Sequence, residues 1–391
     1  MSDSRLSSVA LDVEPFRVMA LLARGKALEA QGHRVLHLEI GEPDFPTPEP
    51  VVEAGQRALA AGLTHYTPAA GLPALREAIA QDYRQRYGLE LDPRRVFVTP
   101  GASGALQVVL GALVAPGREV LLTDPGYPCN RQFVRLHGGV PVSIAVDAST
   151  NGQPDAQDLA RHLGPRCAAL LIASPANPTG AGLGLEALER LRRQVSEAGA
   201  VLIVDEIYQG LEYGDAPLPT ALSLPGDSVV VINSFSKFYG MTGWRLGWAV
   251  VPDFMIDTVE RLAQNVYLAA STLSQHAALA AFAPQTRAIL AARRQELRAR
   301  RDVLWQGLRD LGFDVGTAPP QGAFYIYANI ARFGLDGETL SERLLEEAYV
   351  AITPGSDFGV HRAREHVRFA YTQPIPVLED ALQRIARWLG G

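Results

Sequence analysis

Short, continuous apolar runs alternate with longer stretches of mixed character along most of this chain. Several runs consist almost entirely of valine, isoleucine and leucine, as expected for strands buried on both faces of a largely parallel sheet. The seven runs are Val96–Val98, Glu119–Thr123, Val140–Val146, Ala168–Ala173, Val201–Val204, Ser228–Asn233 and Leu246–Val251. Between them, Ser103–Val114 and Leu185–Ala198 have the length and composition of helices. This alternation predicts an α/β fold in which helices flank a mostly parallel seven-stranded sheet.

The pattern changes after about Pro284. An Arg/Glu/Leu-rich helix is predicted at Thr286–Leu311, followed by a strand at Ala323–Ala328 and a terminal helix at Val377–Leu389. A length of 391 residues fits roughly two domains. We therefore expect a large domain over residues 51–285 and a smaller α+β domain formed by residues 1–50 and 286–391.

Composition narrows the range of partners. The net charge of −6 and the isoelectric point near 5.8 argue against nucleic acid or a membrane as a partner. We see no apolar run of the roughly 20 residues that span a bilayer, and no secretory signal in the first residues. Two cysteines, Cys129 and Cys167, are too few for a disulfide framework or a metal cluster. We expect reduced thiols in a cytoplasmic protein without a bound metal.

Candidate chemistry collects where the predicted strands end, which is where open α/β sheets bind their ligands. Small residues open a helix after the first run, and exposed backbone N–H groups at a helix start form an anion site. The candidate residues at these ends are Gly101, Ala102, Ser103, Tyr127, Asn177, Asp205, Tyr208, Ser234, Lys237 and Arg245. Each alone is also explained as a turn, a helix cap or a packing residue. Together they fit pyridoxal phosphate better than a nucleotide, because the chain has no dinucleotide or P-loop motif.

Lysine is rare here, which draws attention to Lys237. Of the 36 basic residues only Lys26 and Lys237 are lysines. Arginine carries charge but is not deprotonated in proteins, whereas a lysine amine forms imines with carbonyl compounds. The count alone leaves open that both lysines persist by chance in an arginine-rich composition.

Ordered motifs across about 330 residues identify a family resemblance. They are IGEPDF (Ile40–Phe45), HYTPAAGLPALREAIA (His65–Ala80), TPGASGAL (Thr99–Leu106), SPANPTG (Ser174–Gly180), VDEIY (Val204–Tyr208), SFSKFYGMTGWRLGW (Ser234–Trp248), GAFY (Gly322–Tyr325), PGSDFG (Pro354–Gly359) and VRFAY (Val367–Tyr371). With them the chain resembles the fold-type I, class I/II aminotransferases that use pyridoxal phosphate.

The resemblance implies a role for each candidate residue toward the cofactor. Lys237 matches the Schiff-base lysine, and Asp205 matches the carboxylate that keeps the pyridine nitrogen protonated. Asn177 and Tyr208 match the groups that hydrogen-bond the 3-oxygen, and Tyr127 matches the ring stacked on the cofactor. The phosphate-binding residues implied are Gly101, Ala102, Ser103, Ser234, Arg245 and, from the neighbouring subunit of a homodimer, Tyr66.

The resemblance also implies the reaction and the substrates. Arg368, helped by the Gly41 backbone and Asn177, matches the arginine that binds the substrate α-carboxylate. An amino group would pass from an L-amino acid to a 2-oxo acid in a ping-pong cycle. Leu262–Thr286 contains no arginine or lysine, unlike the dicarboxylate-specific branch, so we expect neutral or aromatic donors to outperform aspartate. Arginines of other segments, such as Arg17, are candidate partners for a distal carboxylate.

Two alternative functions remain open at the level of the sequence. The same cofactor and lysine also support lyase chemistry such as carbon–sulfur β-elimination, and the fold does not determine which. A second class is a regulator that senses the cofactor and binds DNA. We do not favour it, because Ile40–Phe45 leaves little room ahead of it for a DNA-binding module.

Overall fold

The computed structural model describes residues 5–15, 17–214 and 216–390. Within them the helices are α1 (Ser8–Leu11), α2 (Arg17–Ala30), α3 (Glu49–Ala60), α4 (Pro73–Tyr87), α5 (Gly101–Leu113), α6 (Pro128–Leu136), α7 (Ala156–His162), α8 (Leu185–Glu197), α9 (Ile256–Val266), α10 (Thr272–Leu279), α11 (Pro284–Asp310), α12 (Gly337–Glu347) and α13 (Ile375–Gly390). The strands are β1 (Leu36–His37), β2 (Val96–Thr99), β3 (Glu119–Asp124), β4 (Val140–Ala145), β5 (Cys167–Ala173), β6 (Val201–Asp205), β7 (Val229–Ser234), β8 (Gly247–Val250), β9 (Tyr325–Asn329), β10 (Val350–Ala351), β11 (Thr353–Pro354) and β12 (His366–Ala370).

A seven-stranded sheet forms the centre of the molecule, in the order β2-β8-β7-β6-β5-β3-β4. Every pairing between neighbours is parallel except those of β8, which runs antiparallel to β2 and β7. The predicted α/β fold with a mostly parallel seven-stranded sheet is therefore confirmed. The expected burial on both faces fails for β4, because it lies at an edge and leaves Val140 44% exposed.

Alternation of side chains explains why the inner strands are apolar along most of their length. Along β6, Leu202 and Val204 enter the core on one face of the sheet, while Val201 and Ile203 enter the core on the other. Successive residues of a strand point to opposite faces, so a strand covered by helices on both sides needs apolar residues at every position. This requirement produced the continuous runs that made the strands recognisable.

A second layer packs beside the carboxyl edge of the sheet. It contains the antiparallel sheet β11-β12-β9 and the short parallel pair β1-β10. Its core also includes Tyr208 and Leu211, which follow β6 and so join it to the central sheet. The strand predicted from Ala323 begins instead at Tyr325, because Ala323 has φ +61°, outside the extended region. The division into domains 51–285 and 1–50 with 286–391 stays a prediction.

Helix α5 begins two residues earlier than its predicted start at Ser103. Gly101 has φ +73°, which glycine adopts without the steric cost of a side chain. The helix begins at Gly101, so Gly101, Ala102 and Ser103 lie in its first turn. Its backbone N–H groups have no partner within the helix and are free to meet an anion.

Across the described ranges, no helix combines the length and apolar character needed to cross a membrane.

Candidate active site

Parallel strand order brings the predicted residues to one edge of the sheet. Asp205 is the last residue of β6 and Ser234 the last of β7, and these strands are neighbours. The segment after β5 turns beside them, where the Ser174 N–H donates to the Asp205 carbonyl at 3.0 Å. Asn177 lies in this turn, 7% exposed. The sheet therefore gathers groups that are distant in sequence into one site.

Lys237 lies at this edge, in the loop that follows β7. The side chain is half-buried, and its Nζ donates to the Gly41 carbonyl oxygen at 2.8 Å. Burial is the main reason that the pKa of this amine is lowered to about 8, and the positive charges of Arg368 and Arg245 lower it further. Asp205 and Glu42 oppose the shift. A substantial fraction of the amine is neutral near pH 8, as a nucleophile or base requires.

Asp205 is a buried carboxylic acid with few partners. Its side chain is 6% exposed, and Oδ1 accepts a hydrogen bond from the Ile207 N–H at 3.1 Å. Burial raises its pKa to about 7, against the effects of that hydrogen bond and the Lys237 charge. A cationic group placed beside this carboxylate would favour its ionised form.

Arg368 forms the best-supported side-chain arrangement in the site. It lies on β12 and is 4% exposed. Nη1 donates to Asn177 Oδ1 at 3.0 Å, and Nη2 donates to the Glu39 carbonyl at 2.6 Å. The guanidinium lies 4.1 Å above the centre of the Tyr325 ring and 4.7 Å from that of Phe358.

One donor of this guanidinium has no partner. Arg368 Nε is buried and makes no hydrogen bond to any described residue. A fixed, planar guanidinium with a spare N–H matches the geometry of a carboxylate.

Tyrosines lie near both Asp205 and Arg368. The Tyr208 and Tyr325 hydroxyls are hydrogen-bonded at 3.0 Å, with their rings edge to face. Tyr127 precedes α6, and burial raises its pKa well above the usual value. Burial likewise raises the pKa of Tyr208. The hydroxyls are therefore neutral donors at physiological pH.

The start of α5 and the Lys237 loop form a cradle of small residues. A methyl group added to Gly247 would lie 2.7 Å from the Ala102 nitrogen, and one on Gly101 would lie 2.8 Å from Arg245 Nη2. The Arg245 side chain therefore sits directly over the first turn of α5. Ser234 Oγ donates to the Leu246 carbonyl at 3.0 Å and lies 2.9 Å from Ser236 Oγ. A cation, hydroxyls and unpaired N–H groups at a helix start suit a phosphate.

Tyr66 stands apart from the other predicted residues. Its side chain is 83% exposed, and in the described part of the chain no hydrogen bond joins it to the site. The structure of a single chain therefore does not bring Tyr66 to the cofactor residues.

Several contributors to the site were not singled out from the sequence. Tyr325, Phe358, Thr353 and the Glu39 carbonyl all contact Arg368. The GAFY and PGSDFG motifs contained the signal for the two aromatic rings. No sequence signal pointed to the Glu39 carbonyl, because every residue type has a backbone carbonyl.

Comparisons with known proteins agree with this geometry. The family model for aminotransferase class I and II matches residues 33–385. The valine–pyruvate aminotransferase of Mycobacterium tuberculosis is 38% identical, over 96% of this chain and 97% of that protein. The aspartate/prephenate aminotransferase of Thermus thermophilus is also 38% identical, over 97% of both chains.

Solved structures give the same result. An aminotransferase from Mycobacterium tuberculosis superposes with a TM-score of 0.95 at 37% identity, covering 99% of this chain and 100% of the other. The aspartate aminotransferase from Thermus thermophilus with maleate gives 0.92 at 37% identity, covering 98% and 99%. The chain therefore belongs to the class I and II aminotransferases and is an aminotransferase of fold type I.

Proposed function

We propose that the chain transfers an amino group from an L-amino acid to a 2-oxo acid in a ping-pong cycle, with pyridoxal phosphate carried on Lys237. The supporting observation is the amine of Lys237, whose pKa is lowered to about 8 and which lies close enough to Asp205 and Arg368 for their charges to affect it. A lysine with an ordinary pKa near 10.4 would be almost fully protonated at neutral pH and therefore a poor nucleophile.

The residues at this edge fit the cofactor group by group. Asp205 would hold the pyridine nitrogen, Asn177 and Tyr208 the 3-oxygen, and Tyr127 the ring face. The phosphate would lie on Gly101, Ala102, Ser103, Ser234 and Arg245. When bound, pyridoxal phosphate supplies an electron sink for the substrate Cα. The close approach of Gly247 to α5, which leaves no space for a side chain, supports the cradle.

Arg368 would orient the substrate. Its guanidinium is fixed by Asn177, the Glu39 carbonyl and the Tyr325 ring, so little freedom remains to be lost on binding. A carboxylate held in two places points the adjacent Cα in a defined direction. The Gly41 carbonyl accepts a hydrogen bond from Lys237, so Gly41 lies beside the amine.

Lys237 would then act as the base that removes and returns the proton at the substrate Cα. A base must lie within hydrogen-bond reach of that proton and have a pKa near the working pH. The pKa of about 8 meets the second condition. Half-burial of Lys237, with its amine fixed on Gly41, limits the approach of water to the base.

We propose that neutral or aromatic amino acids are better donors than aspartate, with 2-oxoglutarate or pyruvate as acceptor. The support is Leu262–Thr286, which includes part of α9 and all of α10 and carries no lysine or arginine. The names of the relatives point both ways, one to valine and pyruvate and another to aspartate and prephenate. The alternative cation, the Arg17 side chain, lies outside the described part of the chain.

We further propose a homodimer with shared active sites, in which Tyr66 binds the cofactor phosphate of the other subunit. The 83% exposure of a tyrosine side chain in the isolated chain supports this role. Tyrosine is among the residues most enriched at interfaces, where an apolar ring and a polar tip are both used.

Replacement of both lysines in turn tests the central assignment. Lys237→Ala should abolish transfer and the covalent attachment of the cofactor, while the protein still folds and binds the cofactor non-covalently. Lys26→Ala is the matched control for the loss of a lysine, because Lys26 is 62% exposed and pairs with Glu29 at the surface, so transfer and cofactor attachment should persist. Near-normal turnover by Lys237→Ala without added amines would refute the proposal.

A further inference from the structure

The residue whose backbone carbonyl holds Arg368 also has a fully buried carboxylate side chain. Glu39 is 0% exposed, and its carbonyl oxygen accepts from Arg368 Nη2 at 2.6 Å. Within the described ranges, the Glu39 side chain has a single polar contact, from Oε1 to His37 Nδ1 at 2.7 Å. Its Oε2 is buried and meets no donor among the described residues. A buried charge with one ionic partner depends on that partner for its compensation.

His37 links this carboxylate to the protein surface. Residues 37 and 39 are two apart in an extended segment, so their side chains lie on the same face. His37 Nε2 lies 3.4 Å from Glu29 Oε1, on the opposite side of the ring from Glu39. Both contacts are hydrogen bonds only when both ring nitrogens carry a proton, as in the protonated imidazole.

Few other charges act on this pair. On α2, Lys26 binds Glu29 at 2.7 Å and is largely exposed. On β10, the residue paired with His37 is Ala351, which carries no charge. On α13, Asp380 forms ion pairs with Arg384 and with Arg34, and Arg384 also donates to the Arg34 carbonyl. The protonation of His37 is therefore set mainly by Glu39 and Glu29.

We propose that protonated His37 is a positioning residue for substrate binding. Through Glu39 it fixes the carbonyl that holds Arg368, and its positive charge offsets the buried Glu39 carboxylate, so that Arg368 binds an incoming carboxylate more tightly. This inference rests on the role proposed above for Arg368. It adds a polar chain, from Glu29 through His37 and Glu39, that extends from α2 to Arg368.

The sign of the pH dependence follows from the charges. The hydrogen bond with Glu39 raises the pKa of His37, with the charges of Glu39 and Glu29 adding to the shift and burial opposing it. Below that pKa the imidazolium compensates Glu39. As the pH rises through it, the site becomes one charge more negative, and the affinity of Arg368 for a carboxylate falls. By linkage, a bound carboxylate must raise the proton affinity of His37 by the same factor, so a tenfold coupling would raise the pKa of His37 by about one.

The first test compares His37→Gln with wild type over pH 5.5–9. Glutamine keeps one donor but cannot be charged. At the acid end, we expect the KM of the amino acid to rise about tenfold in the variant, within the usual range of coupling between sites, while kcat stays within about twofold. The ratio of the two KM values should approach one at the alkaline end. An unchanged KM, or a loss confined to kcat, would overturn the inference.

Two further variants separate positioning from a general loss of structure. His33→Gln is the matched control, because His33 lies on the same segment but stacks on Tyr349 at 4.3 Å, and it should leave KM unchanged. The double variant His37→Gln, Glu39→Gln removes the buried charge together with its partner. It should recover to within about threefold of the wild-type KM, because neighbouring residues in one network couple. A double variant with a KM above that of His37→Gln contradicts the proposed charge compensation.

A direct measurement on the wild-type holoenzyme avoids dependence on turnover. The His37 ring signal, identified by its loss in His37→Gln, is followed by NMR with and without 3-phenylpropionate, which has a carboxylate but no amino group. The pKa of His37 should rise on binding, and a pKa that does not move refutes the inference. Arg368→Ala distinguishes the two levels of the argument. If Arg368→Ala binds 3-phenylpropionate as tightly as wild type, the role proposed for Arg368 is wrong. If Arg368→Ala binds it more weakly but His37→Gln binds it as wild type does, only the role of His37 is wrong.

Discussion

Arg368 Nη1 donates to Asn177 Oδ1 at 3.0 Å, and this hydrogen bond joins β12 to the turn after β5. The two residues are separated by 191 positions in the sequence. Asn177 Oδ1 therefore fixes Arg368, which is proposed to bind the substrate. The same Asn177 side chain is proposed to bind the 3-oxygen of the cofactor. The orientation of the substrate relative to the cofactor would be set by a single amide.

Arg368→Lys is the first prediction. Lysine keeps the charge but cannot contact Asn177, the Glu39 carbonyl and a carboxylate at once with a planar fork. The lost charge-assisted hydrogen bond is worth about 1.5–3 kcal/mol, so we expect the KM of the amino acid to rise roughly 10- to 150-fold. Arg364→Lys is the control, since Arg364 forms a surface pair with Asp336 and is 75% exposed. Steady-state kinetics that rank the two variants equally would argue against the assignment.

Asp205→Asn is the second prediction, and it concerns the enzyme prepared without cofactor. The pKa of Asp205 is raised to about 7, so the folded protein binds a proton there that the unfolded chain releases near pH 4. This contribution to stability is complete below about pH 4 and is lost as the pH rises to about 7. A raised pKa of this size corresponds to roughly 4 kcal/mol at neutral pH.

The stability of the cofactor-free Asp205→Asn variant should therefore fall less between pH 4.5 and pH 7 than that of wild type. Glu206 contributes in the same direction, because burial raises its pKa to about 8. Glu206→Gln should flatten the curve further when it is added to the first substitution. Thermal unfolding at a series of pH values measures both effects. Parallel curves for wild type and Asp205→Asn would show that the Asp205 pKa is not raised.

Gly247→Ala is the third prediction. The added methyl group would lie 2.7 Å from the Ala102 nitrogen and 2.8 Å from the Asn233 carbonyl, both fixed backbone atoms. The start of α5 must therefore move away from β8. Displaced N–H groups bind phosphate less well, and we expect the cofactor to dissociate at least tenfold more readily.

The control for this substitution is Gly243→Ala, four residues earlier, in the segment that leads into β8. A methyl group there meets nothing within 4 Å. Titration of both cofactor-free variants with pyridoxal phosphate should leave Gly243→Ala close to wild type. Equal affinities for the two variants would mean that the contact between β8 and α5 does not support the phosphate site.

The sequence was most informative about elements with a repeated pattern. β6 and β7 are buried on both faces, so they are apolar except at their carboxyl ends, where the polar residues Asp205, Asn233 and Ser234 lie. β10 and β11 contain two residues each, which is too short for any periodic signal. Their position depends on pairing with distant segments, as when His37 pairs with Ala351. The support of Arg368 by the Glu39 carbonyl was likewise set by tertiary contacts.

The same limit applies to Tyr66, whose proposed role depends on a second chain. Its hydrogen bond to a doubly charged phosphate would be worth about 1.5–3 kcal/mol, so Tyr66→Ala should weaken cofactor binding roughly 10- to 150-fold. The alternative is that Tyr66 acts within its own chain. Loss of affinity alone does not separate the two, because both remove the same hydrogen bond.

Subunit exchange between Lys237→Ala and Tyr66→Ala chains is the last prediction and separates these alternatives. If Tyr66 acts across the interface, the heterodimer has one intact site, with Lys237 and Arg368 from one chain and Tyr66 from the other. An equal mixture at full exchange should then recover about a quarter of wild-type activity, since half of the dimers are mixed and each has one working site. If Tyr66 acts within its own chain, each site lacks one residue. Activity no higher than the sum of the separate variants, with exchange verified by native mass spectrometry, would rule out the shared site.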